Sequence, residues 1–134
     1  MQQSSVVLVV EDELAIQGFV ENVLGEAGFD AVSLSSGEQA LTLLIGEREK
    51  FGALIADVKL NGSLDGWAVA RRAREIRPDL PVVYITGTAP DEWASRSVPG
   101  STLLRKPFAP AALVSALSHL LSRQARRAPG QIRR

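Results

Sequence analysis

The sequence contains no cysteine, which excludes disulfides, thiolate nucleophiles and zinc–thiolate sites while leaving the redox compartment undetermined. It carries no excess of either charge, since 15 Lys and Arg balance 15 Asp and Glu, and that argues against a strongly basic nucleic-acid binder. The balance conceals a gradient, with acids crowding the first half and a basic segment running from Arg123 to Arg134. A long apolar run is also missing. Val6 to Val10 is far too short for a signal peptide or a membrane span, and Met1 to Ser5 before it holds no basic residue, so a cytoplasmic protein with no membrane span is expected. There are no internal repeats and no second domain is expected. The 134 residues suit one domain, which at that size hides about two-thirds of its unfolded surface.

What is present is an alternation of apolar, β-rich runs with segments of helical period, the pattern of a parallel sheet covered by helices on both faces. Five strands are expected at Val6–Val10, Ala31–Leu34, Ala53–Ala56, Val82–Ile85 and Thr102–Leu104. A first helix follows Asp12, with Ile16, Phe19, Val20, Val23, Leu24 and Ala27 as one buried stripe before Gly28 stops it. Ser36-Gly37-Glu38-Gln39 reads as a capping box for the second helix, and Asp65-Gly66 opens the third, which runs to the break at Pro78. The fourth starts in Thr88-Ala89-Pro90-Asp91 and is short. The fifth starts near Pro110 and buries Leu113, Ala116, Leu117, Leu120 and Leu121, with Ser115, His119 and Ser122 opposite. Right-handed crossovers between strands this apolar favour a doubly wound sheet of order 2-1-3-4-5. The domain is expected over residues 1–123, followed by a basic, disordered tail at 124–134.

In such sheets chemistry gathers outside the carboxyl ends of the strands, where the strand order reverses, here between the first and third strands. The first strand ends in Glu11-Asp12 and the third in Asp57. Two carboxylates about 4 Å apart repel by roughly 4 kcal/mol at an effective dielectric near 20, so a divalent cation is the natural resolution. Hard oxygen ligands suit Mg²⁺, which binds through one or two carboxylates plus a phosphate oxygen. The fourth strand ends in Thr86-Gly87, a hydroxyl beside a residue without a Cβ, and the fifth delivers Lys106, a long point charge able to reach a phosphate. A carboxylate nucleophile, a metal clamp, a hydroxyl donor and a cation are the parts of a phosphoryl-transfer site. Taken singly, Asp12 reads as a helix cap, with Glu11 and Glu13 favoured by the helix's positive end, while Thr86 is a strand residue and Lys106 a solvated charge. Their convergence on one rim reverses that weighting. His119 reads as a surface residue, and Trp67 and Trp93 as packing.

In motif order the chain resembles the response-regulator receiver domain of two-component signalling, over about residues 5 to 122. The resemblance is carried by Glu11-Asp12-Glu13, by Ile-Ala-Asp57 with Leu64-Asp65-Gly66, by Tyr84-Ile85-Thr86-Gly87 and by Lys106-Pro107-Phe108. It implies a flavodoxin-like fold with five helices. It also implies that Glu11, Asp12, Asp57 and the backbone carbonyl of Lys59 hold Mg²⁺, that Asp57 takes a phosphoryl group, that Thr86 and Lys106 bind it, and that the Lys106-Pro107 bond is cis. The implied donor is a sensor histidine kinase or a histidine phosphotransfer protein. The implied consequence is altered binding of a downstream protein partner or onward passage of the phosphoryl group. Such a chain is a phosphoacceptor assisting its own phosphorylation and dephosphorylation rather than an enzyme. Homodimerisation through the fourth helix, fifth strand and fifth helix is a known mode of such domains. No DNA-binding domain is expected. The stretch from Asp57 to Asp65-Gly66 is one residue longer than in the commonest receivers and carries Asn61 where proline is usual. Leu103 stands where most receivers carry Tyr or Phe. The alternatives are a pseudo-receiver used only for docking, a Mg²⁺-dependent phosphatase with an aspartyl nucleophile, which would want an acid where Lys59 stands, and a flavin carrier, which the three acids after the first strand would repel.

Overall fold

The computed structural model of the chain describes residues 5–88 and 93–126. Its elements alternate from the start: β1 (Val6–Val10), α1 (Leu14–Glu26), β2 (Asp30–Leu34), α2 (Gly37–Gly46), β3 (Ala53–Asp57), α3 (Gly66–Ile76), β4 (Val82–Thr86), α4 (Trp93–Arg96), β5 (Thr102–Arg105) and α5 (Pro110–Arg126). The expected start of the fourth helix at Ala89-Pro90-Asp91 lies outside the described residues, as does the expected tail from residue 127 onward. α5 extends through Arg126, three residues past the expected boundary. Gln124 near its end donates to the carbonyl of Asp79 at 3.1 Å. Among the described residues no helix is long and apolar enough to cross a membrane.

The five strands form one parallel sheet of order β2-β1-β3-β4-β5, the order that the alternation and handedness rule predict. Side chains alternate across a strand, so the core divides in two. Leu8, Val10, Leu54, Ala56, Val82 and Tyr84 face the side covered by α2 and α3, together with Trp67, Val69 and Ala70. Val7, Val9, Ala53, Ile55, Val83 and Ile85 face the side covered by α1 and α5, together with Val20, Leu24, Leu113 and Leu117. β3 and β4 are buried along their whole length, whereas the edge strands β2 and β5 are only half-buried.

The helix boundaries follow from local chemistry. Ser36 Oγ accepts from Gln39 N at 3.2 Å and Asp65 Oδ1 accepts from Ala68 N at 2.9 Å, so the expected N-caps of α2 and α3 are formed. Gly28 follows α1 at φ +92°, a left-handed conformation that glycine adopts without strain. The α1 stripe is narrower than its periodicity predicts. Val20, Val23 and Leu24 are buried, but Phe19 and Ala27 are exposed, and the Phe19 ring lies against Phe108, 5.6 Å between centroids. On the other face Leu103 pairs in register with Tyr84. The Tyr84 ring packs against Trp67 at 4.7 Å and Trp93 at 6.0 Å, and its hydroxyl accepts from Val98 N at 3.0 Å.

Candidate functional site

The sheet's hydrogen bonding carries on past the apolar runs and thereby fixes the polar residues that follow them. Glu11 N donates to Leu34 O at 3.0 Å, Val58 N to Ile85 O at 2.8 Å and Lys106 N to Thr86 O at 2.7 Å. Asp57 and Thr86 are therefore the last residues of β3 and β4, and they are buried like the core behind them, at 3% and 5% exposure. The Lys106-Pro107 bond is cis, as the resemblance implied.

Glu11, Asp12 and Asp57 each offer a carboxylate oxygen such that the three atoms lie within 4.8 Å of one another. The capping alternative for the acids after β1 fails on geometry. α1 begins at Leu14, and Glu13 at its N-cap makes no side-chain cap bond. Asp12 instead sends Oδ2 across to the amide of Asn61 at 2.8 Å, in the loop after β3. Glu11 Oε2 accepts from Glu13 N at 3.0 Å, and Gln17 of α1 donates to the Glu11 carbonyl at 2.9 Å. Glu11 Oε1 is buried with no hydrogen-bond partner. Lys106 Nζ stands 3.7 Å from it, an ion-pair neighbour too distant to hydrogen-bond well.

Lys106 reaches the acids from beyond β5. Its ammonium lies 3.3 Å from Asp57 Oδ2 and 3.4 Å from Glu13 Oε1. Burial works to lower the Lys106 pKa, but the charges of Asp57 and Glu11 and the bonds to Asp57 and Glu13 outweigh it, and the net shift is upward. Lys59 N donates to Asp57 Oδ1 at 3.3 Å. The Thr86 hydroxyl accepts from Thr88 N and lies 3.3 Å from the Thr88 hydroxyl. An open cleft of about 520 Å³ runs over this rim, lined by Asp12, Glu13, Asp57, Lys59, Leu60, Asn61, Gly87, Thr88 and Lys106. Among the described residues a Cβ at Gly87 would meet nothing within 4 Å. The fold thus brings together every residue singled out from the sequence: Glu11, Asp12, Asp57, Lys59, Thr86 and Lys106. Sequence reasoning missed Thr88 and the amide of Asn61. A second hydroxyl two residues after Thr86 was the available signal for the first, whereas a backbone donor leaves none.

Burial pushes the Glu11 carboxyl from 4.5 up to about 7, and the neighbouring Asp57 adds to the rise while the Glu13 amide and Lys106 oppose it. The folded chain therefore holds this proton more tightly than the unfolded chain. The stability it contributes is complete below pH 4.5 and lost as pH rises through about 7, an effect of roughly 3 kcal/mol at most. Urea midpoints of the metal-free protein should fall between pH 5 and pH 8, and Glu11→Gln should remove most of that fall. An equal decline in the variant would show that Glu11 is not the titrating group.

Comparisons with known proteins agree with this geometry. The family model for the response regulator receiver domain matches residues 7–118. The response regulator receiver protein CpdR of Brucella abortus is 33% identical over 120 residues, covering 86% of this chain and 95% of that protein. A response regulator receiver protein from Sinorhizobium medicae superposes with a TM-score of 0.85 at 39% identity, covering 90% of this chain and 97% of that one. The receiver domain of a Pseudomonas aeruginosa sensor histidine kinase, solved with a magnesium ion coordinated in its active-site cleft, matches with a TM-score of 0.77 at 25% identity, covering 89% of this chain and 98% of that one. The chain spans about half the length of the ycf27 transcriptional regulators that it also matches. With a matched family model over most of its length, a five-stranded sheet of order 2-1-3-4-5 and an acidic cluster at the switch point of that sheet, the chain belongs to the response regulator receiver family.

Proposed function

We propose that Asp57 is the phosphoacceptor of this receiver domain and that it works with Mg²⁺. The observation that carries the reading is the cluster of buried Glu11 and Asp57 with half-buried Asp12, in which Asp57 faces Lys106 at 3.3 Å. The donor set suits the ion. Three carboxylates are hard oxygen ligands, and the buried Oε1 of Glu11 has no hydrogen-bond partner, only the Lys106 ammonium at 3.7 Å. Glu11, Asp12, Asp57 and the Lys59 carbonyl would hold Mg²⁺, which when bound offsets the repulsion among the acids and draws charge from phosphoryl oxygens.

The chain's own residues do the rest. An Asp57 carboxylate oxygen bonds to phosphorus as the P–N bond to the donor's phosphohistidine breaks, and the electron pair leaves with the imidazole ring, which takes up a proton. Lys106, already paired with Asp57, is the cation that meets the new phosphoryl charge. Thr86 is the hydroxyl donor at the adjacent strand end, turning from its present contact with Thr88. The phosphoryl group carries about 2 negative charges where the Asp57 carboxylate carried one, a net gain of about one charge, and this biases the β4–α4–β5 surface and so the binding of a downstream partner. The donor is a sensor histidine kinase or histidine phosphotransfer protein, and the setting is cytoplasmic, with a receiver unit that takes in α5 through Arg126 and a basic tail after it.

Incubation with acetyl phosphate, with and without Mg²⁺, followed by intact mass measurement tests this. A single phosphoryl adduct should appear with Mg²⁺ and be lost when the ion is chelated beforehand. No adduct, or one equally abundant without the ion, contradicts the reading.

A further inference from the structure

The loop from Val58 to Leu64, which joins the nucleophile's strand to α3, has no proline to stiffen it and contains Gly62 at φ +104°. Its two ends are fixed by main-chain bonds, Val58 N to Ile85 O and Gly66 N to Val58 O, both 2.8 Å. Its middle is held by carboxylates from elsewhere in the chain. Asp12 Oδ2 takes the Asn61 amide at 2.8 Å. Glu38, in the first turn of α2, takes both the amide of Ser63, at 3.1 Å, and its hydroxyl. Gly62 lies directly under the same carboxylate, where an added Cβ would come within 3.3 Å of Glu38 Oε1. The N-cap of α2 is supplied by Ser36, and the Glu38 carboxylate, which also accepts from its own main-chain amide, turns its bonds to Ser63 outward to the loop.

We infer that Glu38 is a positioning residue for the metal and phosphoryl site. By gripping Ser63 it holds the loop so that the Asn61 amide orients Asp12 and the Lys59 carbonyl stays at the rim. The inference rests on the metal reading above for its effect on the ion, although the grip itself is a property of the ion-free chain. Bonds from Ser63's hydroxyl, from Glu38's own main chain and from Ser63's amide hold the Glu38 carboxylate below its usual pKa, so the acceptor is ionised at neutral pH. The loop it organises is the one that is longer than in the commonest receivers and lacks their proline. A side-chain latch from α2 takes over the stiffening that a ring would supply, since a flexible glycine-containing loop otherwise has conformational freedom to lose when it is ordered.

Two readouts on Glu38→Ala, Glu38→Gln and Ser63→Ala separate this from a merely structural role. The first is amide hydrogen exchange at Asn61 and Ser63 in the ion-free protein. The second is Mg²⁺ affinity by titration calorimetry, with urea midpoints as the control for folding. Glu38→Ala should speed exchange at both amides and weaken Mg²⁺ binding about three- to tenfold, less than the roughly tenfold or more that partners bonded directly to metal ligands give, because Glu38 acts through the loop. Ser63→Ala, which removes only the hydroxyl arm, should give a smaller change of the same sign. Glu38→Gln keeps the acceptor oxygen and loses the charge, so it should stay within about twofold of wild type. Unchanged Asn61 exchange in Glu38→Ala, or a Glu38→Gln variant as impaired as Glu38→Ala, overturns the inference, the latter by assigning the effect to charge alone. Should the wild-type protein bind no Mg²⁺, the metal reading fails, and exchange at Asn61 still decides whether Glu38 holds the loop.

Discussion

Asp57→Asn is expected to abolish phosphorylation by acetyl phosphate, lowering it by more than about a hundredfold, and at the same time to stabilise the metal-free fold. The two effects have one origin. Asp57 is 3% exposed and lies in a cluster whose three carboxylate oxygens fall within 4.8 Å of one another. At an effective dielectric near 20 an ionised pair at that range repels by about 3–4 kcal/mol, a repulsion that involves Glu11 only as its carboxyl, raised to about 7, ionises, and Lys106 at 3.3 Å offsets only part of it. An amide of the same shape removes the charge and the nucleophilic oxygen together. Without Mg²⁺ its urea midpoint should rise by the equivalent of about 1–2 kcal/mol. At ten times its dissociation constant Mg²⁺ should stabilise the wild type by about 1.4 kcal/mol and the variant by less. A variant less stable than the wild type without the ion would mean that Asp57 is a structural anchor rather than a group held against its neighbours.

Gly66→Ala should be the most damaging single-atom addition near the site. A Cβ there would stand 2.2 Å from the carbonyl oxygen of Asp57 and 2.7 Å from the Cα of Val58. These are backbone atoms at the end of Asp57's own strand, and that strand is held by Val58 N to Ile85 O and by Gly66 N to Val58 O. They cannot turn aside as a side chain would. The start of α3 must back away, taking Asp65 and its cap bond to Ala68 and unseating Trp67, which is 3% exposed. A loss of about 3 kcal/mol or more is expected, at the upper end of overpacking, with phosphorylation slowed in whatever folded protein remains. Thermal unfolding checks it. A fall smaller than about 1 kcal/mol would show that α3 can slide without disturbing Asp57. At Gly37 a Cβ would meet the Val69 Cγ2 side chain at 2.3 Å and the Leu64 Cβ at 3.2 Å, side-chain atoms and not the backbone that Gly66 faces.

Both positions were visible in the sequence for different reasons. Gly66 follows an N-cap aspartate and opens a helix of clear apolar period, and Asp57 ends an apolar strand, so element type, strand order and the rim were all legible. The strand ends were read one residue short at Asp57, Thr86 and Arg105, because an apolar run stops at the first polar side chain whereas backbone pairing does not depend on the side chain. Asp12 was ambiguous between helix cap and metal ligand, since both need an acid after a strand. Only the Asn61 amide at 2.8 Å, 49 positions away, decides against the cap. Glu38 looked like part of a capping box because the local pattern is one, and its bond to Ser63 depends on how α2 lies against the loop. Leu103 likewise marked a missing aromatic on β5. Nothing in the local pattern pointed to Tyr84 of β4 as the ring beside it, with a buried hydroxyl tied to Val98.

The most direct test of the account is chemical identification of the phosphorylated residue. The protein treated with acetyl phosphate and Mg²⁺ is reduced with borohydride, which converts an aspartyl phosphate to homoserine, and its peptides are then sequenced by mass spectrometry. The account predicts homoserine at position 57 and nowhere else. Homoserine at position 12 or 65, or an adduct that survives on an unmodified Asp57, would contradict it.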